Sequence, residues 1–406
     1  MTEWTVARLG RKGDGVAISG ERRALAPLTL PGEVIQGEAE AGRIAAPRVL
    51  TPSAQRVRAP CPHYRACGGC TLMHGSEDFV KGWKVGVVTE ALRAQGLAAP
   101  IAGVHVSPPR SRRRAVLSGR RTKKGALLGY HARASDVVVD LADCQVLRPA
   151  ILAALPLLRE MVVAGASRAG ELAITVVDSG AGLDVTVTGG KPLEPGLFQA
   201  LAGLAEKGDL ARLTWDGQSL TRRPPALAFG RARVVPPAGG FLQATAEGEA
   251  ALVAAVREFT QGTARILELF AGCGTFTLPL AETAELHAVE GLAAPLAALE
   301  AGARQAPGLR RITTEIRDLA RRPLLRDELA YDAIVIDPPR SGAEAQAREI
   351  AASRVRRLAW ISCDPVTFAR DARILAEADW EISRLYVVDQ FRWSPHVETV
   401  AEIRRR

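Results

Sequence analysis

Cys363 and Glu398 are the residues around which covalent chemistry can be built. Cys363 sits in Ile361-Ser-Cys-Asp-Pro, at the carboxyl end of an apolar strand candidate, where open α/β sheets bind ligands. A thiolate there can be a nucleophile, although a cysteine taken alone is more often an inert buried side chain. Glu398 ends His396-Val-Glu, which reads as a strand entry with both polar side chains on one side. Asp337-Pro-Pro-Arg340 follows another apolar strand, and its prolines stiffen the loop. This set suits methylation at carbon 5 of a uracil. Carbon 5 is a poor nucleophile until a thiolate adds to carbon 6 and generates an enolate. After methyl transfer, a base must remove the carbon 5 proton so that the thiolate can leave. An amine methyltransferase using Asp337-Pro-Pro is the competing chemistry. Arg340, standing where such enzymes would carry tyrosine, weakens it.

The methyl donor has a place at Phe270-Ala-Gly-Cys-Gly-Thr275, the turn after the strand Ile266-Leu-Glu-Leu-Phe270. Gly272 and Gly274 allow the backbone to approach a ligand closely. Glu290, ending the next strand, can accept hydrogen bonds from both hydroxyls of a ribose. A nicotinamide dehydrogenase would show a third glycine where Thr277 stands. S-adenosylmethionine is therefore the favoured ligand.

Cys61, Cys67 and Cys70 follow the spacing C-x5-C-x2-C, and Cys144 lies far downstream in Asp143-Cys-Gln. Four thiolates can hold a 4Fe-4S cluster or a zinc ion. The adjacent Gly68 and Gly69 favour the bulkier cluster modestly.

Phe241-Leu-Gln243, Leu267 to Leu280, Val289-Glu-Gly291, Ile336 to Ala343, Ser362-Cys-Asp-Pro365 and His396-Val-Glu398 occur in this order. Together they resemble the RNA uracil-5-methyltransferase family, whose members make 5-methyluridine in tRNA and ribosomal RNA. The resemblance implies Cys363 as nucleophile and Glu398 as base. It implies S-adenosylmethionine contacts from Gln243, Phe270, Thr275, Glu290, Asp318 and Asp337. It also implies an iron–sulfur site at Cys61, Cys67, Cys70 and Cys144, with zinc as the alternative. Asp364 stands where the family usually has asparagine, and a carboxylate beside Cys363 would raise its pKa if ionised and close. Thr275 replaces an asparagine of many members, and Met73 replaces a glutamine. Arg8 to Ala17 and Leu30-Pro-Gly-Glu33 resemble the small RNA-binding barrel called the TRAM domain.

The surrounding elements must hold these residues in place. Strands alternating with helices after about residue 244 predict a doubly wound α/β sheet, and the resemblance implies that it is of the class I methyltransferase (Rossmann-like) type. Thr245–Phe259 reads as a helix, and Arg265–Phe270, Leu286–Glu290, Ala333–Asp337, Arg357–Ser362 and Ile382–Val388 read as strands. Short β-prone runs up to about residue 58 predict a small barrel. Ser76 reads as the N-cap of a helix reaching Ala94. Leu172–Val177 and Leu183–Val187 read as a hairpin. The expected domains are 1–58, an RNA-binding β-barrel; 59–240, a central α+β iron–sulfur domain; and 241–406, the methyltransferase domain.

The chain has 406 residues and a formal net charge of +9, which suits an anionic partner; arginine-rich composition from genome bias accounts for net charge equally well. From Arg110 to Arg133 there are nine Lys or Arg and no acid, which favours a phosphate-contacting surface. Charge reversal at Arg112, Arg113 and Arg114 is expected to weaken RNA binding. No apolar run suggests a membrane span and no signal peptide is apparent, so a cytoplasmic monomer is expected. RNA is the expected partner, ribosomal RNA before tRNA. An RNA-binding assembly factor with an inactive methyltransferase domain is the alternative from another class.

Overall fold

The computed structural model describes residues 2–406. Five N-terminal strands, β1 (Thr2–Leu9), β2 (Gly15–Ser19), β3 (Arg22–Ala26), β4 (Val34–Gly37) and β5 (Arg48–Thr51), form an antiparallel sheet. Their order is β3-β2-β1-β4-β5. Alternation along β1 turns Trp4 and Val6 into a small core with Ala17, Ala24 and Ile35. The sequence predicts a barrel, but β3 and β5 remain edges. A bridge between Leu25 and Arg43 draws β3 only toward the β4–β5 connection. β5 is mostly exposed, and only Val49 turns toward the small core.

Helix α1 (Glu77–Ala94) starts where the sequence places it. Ser76 Oγ accepts the Phe79 N–H at 3.3 Å, and Glu77 and Asp78 occupy the first turn. Strand β6 (Ile101–Val106) follows.

The middle of the chain contributes β7 (Arg114–Arg121), β8 (Ala126–His131), β9 (Val138–Asp140), α2 (Pro149–Ala153), α3 (Leu155–Gly165), β10 (Glu171–Asp178), β11 (Leu183–Thr188), α4 (Pro195–Lys207), β12 (Arg212–Trp215) and β13 (Gln218–Thr221). The seven strands run in the order β13-β12-β11-β10-β7-β8-β9. The expected hairpin is β10–β11, with Asp178 opposite Leu183. Leu158, Met161 and Val162 of α3 pack against Leu117, Leu128 and Ile174 on the sheet. A hairpin of β14 (Leu227–Phe229) and β15 (Ala232–Val234) leads out of this unit.

The rest of the chain comprises α5 (Ala246–Phe259), β16 (Arg265–Leu269), α6 (Thr277–Leu280), β17 (Glu285–Glu290), α7 (Ala293–Gln305), β18 (Ile312–Ile316), β19 (Ala333–Ile336), α8 (Glu344–Ala352), β20 (Arg357–Ser362), α9 (Pro365–Ala376), β21 (Trp380–Asp389) and β22 (Glu398–Arg405). Their sheet has the order β18-β17-β16-β19-β20-β22-β21-β6. β16 to β20 are parallel, and β22 inserts antiparallel between β20 and β21. The chain moves from β16 outward to β18 and then returns to the other side at β19. That reversal makes the carboxyl ends of β16 and β19 a topological switch point, where ligands bind in open α/β sheets.

β6 lies far from these strands in sequence, in the stretch assigned to the middle of the chain. It nevertheless pairs in parallel with β21. Val88 and Leu92 of α1 share a core with Phe368 and Leu375 of α9. Residues 77–106 therefore buttress the same sheet, at the side where β22 and β21 meet.

Candidate active site at the strand ends

The turn after β16 is held in an unusual backbone shape. Phe270 has φ +62°, and Gly272 and Gly274 have φ +56° and +95°. A non-glycine residue in this region costs about 1–3 kcal/mol, and such residues concentrate at functional sites. A Cβ on Gly274 would meet Leu299 Cγ at 2.9 Å, so that glycine serves packing. A Cβ on Gly272 would meet nothing within 4 Å, which leaves open space at the loop. Glu290 braces the turn: Oε2 accepts the Gly272 N–H and Oε1 the Leu292 N–H, each at 2.9 Å. Thr275 lines a cavity of about 580 Å³ with Arg148, Asp178, Phe229 and Glu249. Asp318, two residues beyond β18, is exposed, and its Oδ1 accepts from the Ala320 and Arg321 amides at 3.1 and 3.3 Å. Phe270, Glu290, Asp318 and Asp337 thus stand at the carboxyl ends of four neighbouring strands.

A buried polar chain crosses from this group to Glu398. Gln243 Nε2 donates to Asp337 Oδ2 at 3.4 Å. Gln390 Nε2 donates to Gln243 Oε1 at 2.5 Å and to Glu398 Oε2, while its Oε1 accepts the Thr245 N–H at 3.3 Å. Burial pushes the Asp337 carboxyl up to about 7. Burial first, and then the Asp337 charge, push Glu398 up to about 8 against the opposing Gln390 hydrogen bond. Cys363 shares this environment. Burial, then Glu398 and Asp337, drive its thiol up to about 11, and Arg340 opposes them.

Asp364 behaves differently from the expectation. It caps α9, with Oδ1 accepting the Val366 and Thr367 amides at 2.9 and 3.3 Å, and it faces Arg11 at 3.8 Å. The carboxylates that raise the Cys363 thiol are Glu398 and Asp337, because the helix N-terminus engages Asp364. His396 and Glu398 also part company. Glu398 is buried and opens β22, whereas His396 is exposed and meets the Phe391 ring edge-on at 5.8 Å. Strand alternation does not extend to His396 because the strand begins only at Glu398.

Gln390 is a site residue that the sequence reading missed. Its only local mark is the polar pair Asp389-Gln390 closing an apolar strand.

Glu268 is a second omission, hidden inside an otherwise apolar strand. It is buried; Oε2 accepts from Thr277 Oγ1 at 2.6 Å, and Oε1 has no partner among the described residues. Burial pushes its carboxyl up to about 8, above the ~4.3 of an unfolded glutamate. The folded state therefore holds this proton more tightly. The stability it contributes is fully present below about pH 4.3 and is lost as pH rises through about 8. Glu268→Gln is expected to lose less melting temperature than wild type between about pH 6.5 and about pH 9, measured by differential scanning calorimetry.

The basic stretch is only partly a surface. Arg113 is buried and pairs with Glu249; its Nε donates to Gln243 O at 3.2 Å. Arg114 donates to Gly240 O at 3.1 Å and Gly239 O at 3.3 Å. Both arginines therefore hold the segment that carries Gln243, and charge reversal there would damage the site rather than test RNA contact. Arg113→Ala leaves Glu249 buried and unpaired, so a loss of about 3–5 kcal/mol is expected in urea unfolding. An Arg113→Met, Glu249→Leu double variant is expected to recover most of it.

The four cysteines are free thiols in one neighbourhood. Burial raises Cys67, Cys70 and Cys144, and neighbouring thiols add to each shift. Ala142 and Asp143 donate their amides to His63 Nε2 at 3.1 and 3.4 Å, which draws Cys144 to the Cys61–Cys67 loop. Gly68 donates to His131 O at 2.9 Å, and a Cβ there would meet that same oxygen at 2.9 Å. Glycine is thus needed for the loop to lie on β8. Among the described residues, no three His, Cys, Asp or Glu side chains gather closely enough to hold one ion. A tetrahedral zinc site would draw its sulfurs to about 3.8 Å of one another. A four-iron cluster, with one thiolate per iron, tolerates wider spacing.

Comparison with known proteins agrees with this geometry. Residues 305–406 match the family model described as tRNA (uracil-5-)-methyltransferase. An RNA methyltransferase of Brucella suis biovar 1 is 41% identical over 98% of this chain and 96% of its own length. The 23S rRNA (uracil(1939)-C(5))-methyltransferase RlmD of Halomonas elongata is 33% identical over 98% of this chain and 88% of its own. The crystal structure of Pyrococcus abyssi tRNA (uracil-54, C5)-methyltransferase, in complex with S-adenosyl-L-homocysteine, superposes with a TM-score of 0.77. It covers 98% of this chain and 99% of that one at 19% identity, a likeness of fold. With two relatives above 30% identity along almost its whole length, the chain belongs to the RNA uracil-5-methyltransferase family.

Proposed function

We propose that this enzyme methylates carbon 5 of one uridine in 23S ribosomal RNA. The carrying observation is the buried chain from Asp337 through Gln243 and Gln390 to Glu398, with Cys363 in the same electrostatic environment. S-adenosylmethionine, when bound, supplies an electrophilic methyl group on a cationic sulfur. Phe270, Thr275, Glu290, Asp318, Asp337 and Gln243 are the residues that would hold it. Two features suit that ligand: the open space at Gly272, and the Asp337 carboxylate, whose burial no cation among the described residues offsets.

Cys363 adds to carbon 6 of the uracil, and carbon 5 then takes the methyl group. Glu398 removes the carbon 5 proton, carbon 5 and carbon 6 regain their double bond, and the thiolate leaves. A carboxyl near 8 is matched to proton removal at mildly alkaline pH. Cys61, Cys67, Cys70 and Cys144 would hold a 4Fe-4S cluster, whose part is structural because this methyl transfer needs no electron. The N-terminal sheet (1–58) acts as a TRAM-like RNA-binding unit beside a central unit within 59–240 and the methyltransferase unit (241–406), whose sheet also takes in residues 77–106. Lys123 and Lys124, exposed at the β7–β8 turn, remain available to phosphates. No helix among the described residues is long and apolar enough to cross a membrane. An enzyme acting on RNA as proposed would work in the cytoplasm, as a monomer.

Ribosomal RNA is preferred because the full-length relative from Halomonas elongata is named for that substrate. The test is a map of 5-methyluridine in total RNA from wild-type, deletion and complemented strains. One 23S position lost and then restored is expected. Retention of every 23S position, or loss in tRNA alone, refutes the assignment. Anaerobically purified protein should carry about four iron and four sulfide per chain; stoichiometric zinc instead would overturn the cluster.

A further inference from the structure

The segment between β21 and β22 carries the groups that align the proposed base, and residues 71–107 hold it at several points. Lys84 of α1 is 1% exposed, and its partner Asp389 is 2% exposed. Lys84 Nζ donates to Asp389 Oδ1 at 2.5 Å and to Phe391 O at 3.2 Å, and Asp389 Oδ1 also accepts the Phe391 N–H at 3.0 Å. Farther along, Trp393 adopts φ +62°, and its carbonyl accepts the Thr71 and Leu72 amides at 2.8 and 2.9 Å. Arg392 donates to Ser107 O at 3.1 Å and Glu77 Oε2 at 2.9 Å. Gln390, which donates to both Glu398 and Gln243, lies directly between the two residues that Lys84 grips.

A buried ammonium–carboxylate pair is an expensive way to hold two elements together. Replacing such pairs with apolar side chains is often neutral or stabilising. Its presence here is explained by what it aligns. An apolar contact could join α1 to β21, but it would not set the direction of the Asp389 carboxylate or of the Phe391 carbonyl. Those two groups determine how the chain leaves β21, and so where the Gln390 amide points.

We propose that Lys84 is a positioning residue for proton abstraction: through Asp389 and Phe391 it orients Gln390, which holds Glu398 toward carbon 5 of the bound uridine. This rests on Glu398 being the base. In the affected step, the C5–H bond breaks and the proton passes to the Glu398 carboxylate. Its electron pair forms the C5=C6 bond as the C6–S bond breaks and Cys363 leaves as thiolate. Addition of Cys363 and methyl transfer precede this step and do not use Glu398. A fault at Lys84 therefore affects the second half of the reaction selectively.

The experiment follows the covalent protein–RNA adduct in single-turnover reactions of the full chain, loaded with S-adenosylmethionine and unmodified substrate RNA. In Lys84→Met, adduct formation should stay within about threefold of wild type. Adduct breakdown should slow about 100-fold, the scale of an ångström-sized misplacement. Methylated RNA then accumulates on the protein, and kcat and KM for RNA fall together, leaving kcat/KM, which reports the steps up to methyl transfer, unchanged. Formation and breakdown falling together, or neither changing, would overturn the inference. If Lys84→Met does not fold by circular dichroism, Asp389→Asn keeps an acceptor for Lys84 and carries the test, with breakdown expected to slow about tenfold. An unaltered ratio of formation to breakdown in that variant also overturns it. Glu398→Gln runs in parallel: failure of that variant to trap adduct faults the base assignment itself. Trapping by Glu398→Gln with wild-type behaviour of Lys84→Met faults only the role of Lys84.

Discussion

With Cys363→Ala, RNA carrying 5-fluorouridine is expected to form no covalent adduct, and methyl transfer to ordinary RNA is expected to fall by about 10⁴-fold or more. Fluorine at carbon 5 cannot be removed as a proton, so a competent nucleophile leaves the wild-type protein bound to the RNA through carbon 6. The prediction depends on where the thiol sits. Cys363 follows β20, between the Asp337 loop and the start of β22, and its pKa responds to both Asp337 and Glu398. Pushed up to about 11, the thiol is protonated at neutral pH and becomes nucleophilic only when its proton is drawn off or the neighbouring charge changes. Adduct resolved by denaturing gel electrophoresis gives the answer. An adduct that persists in Cys363→Ala would remove Cys363 from the mechanism. Loss of the adduct with intact S-adenosylmethionine binding, measured by calorimetry, would support it.

Glu398→Gln should have the opposite phenotype: methylated RNA stays attached to the protein. Addition and methyl transfer need no base at carbon 5, so they proceed, while the proton cannot leave and turnover falls by about 10²–10⁴-fold. In the wild-type protein, Glu398 must be ionised to act, and its carboxyl is pushed up to about 8. Adduct breakdown should therefore rise with pH, levelling above about 8, and be lost as pH falls below it. Glu398→Gln removes this limb. It also removes a negative charge that holds the Cys363 thiol up, so iodoacetamide should alkylate Cys363 faster in this variant at alkaline pH. Freely released, fully methylated product from Glu398→Gln would assign the base elsewhere.

The Arg113–Glu249 pair shows how a run of like charge can mislead. In sequence, Arg112, Arg113 and Arg114 look equivalent and solvent-facing. In the fold they alternate along the approach to β7. Arg113 points into a buried pair, Arg114 toward the carbonyls of Gly239 and Gly240, and Arg112 over the Phe391 ring at 5.8 Å. A positive run states how much charge is present, and burial decides which part of it an RNA can reach.

The groups proposed to act are legible in contiguous stretches of the chain. The Phe270–Thr275 turn, Glu290, Asp337-Pro-Pro, Cys363 and Glu398 each follow or open a strand recognisable from its own residues, and a strand end is a local property. Local signals also placed α1, the β10–β11 hairpin and the helix capped by Thr245. How those groups are coupled depends on parts of the chain that only folding brings together. The link from Asp337 to Glu398 needs Gln243 and Gln390, which lie on different elements and meet only because β22 folds back between β20 and β21. The pairing of β6 with β21, and the burial of Lys84 against Asp389, likewise join residues hundreds of positions apart. Local periodicity says which face of an element is apolar, not which distant element will cover it. The perturbed carboxyls of Glu268, Asp337 and Glu398 come from that covering: a carboxylate shifts only when other parts of the chain exclude water from it.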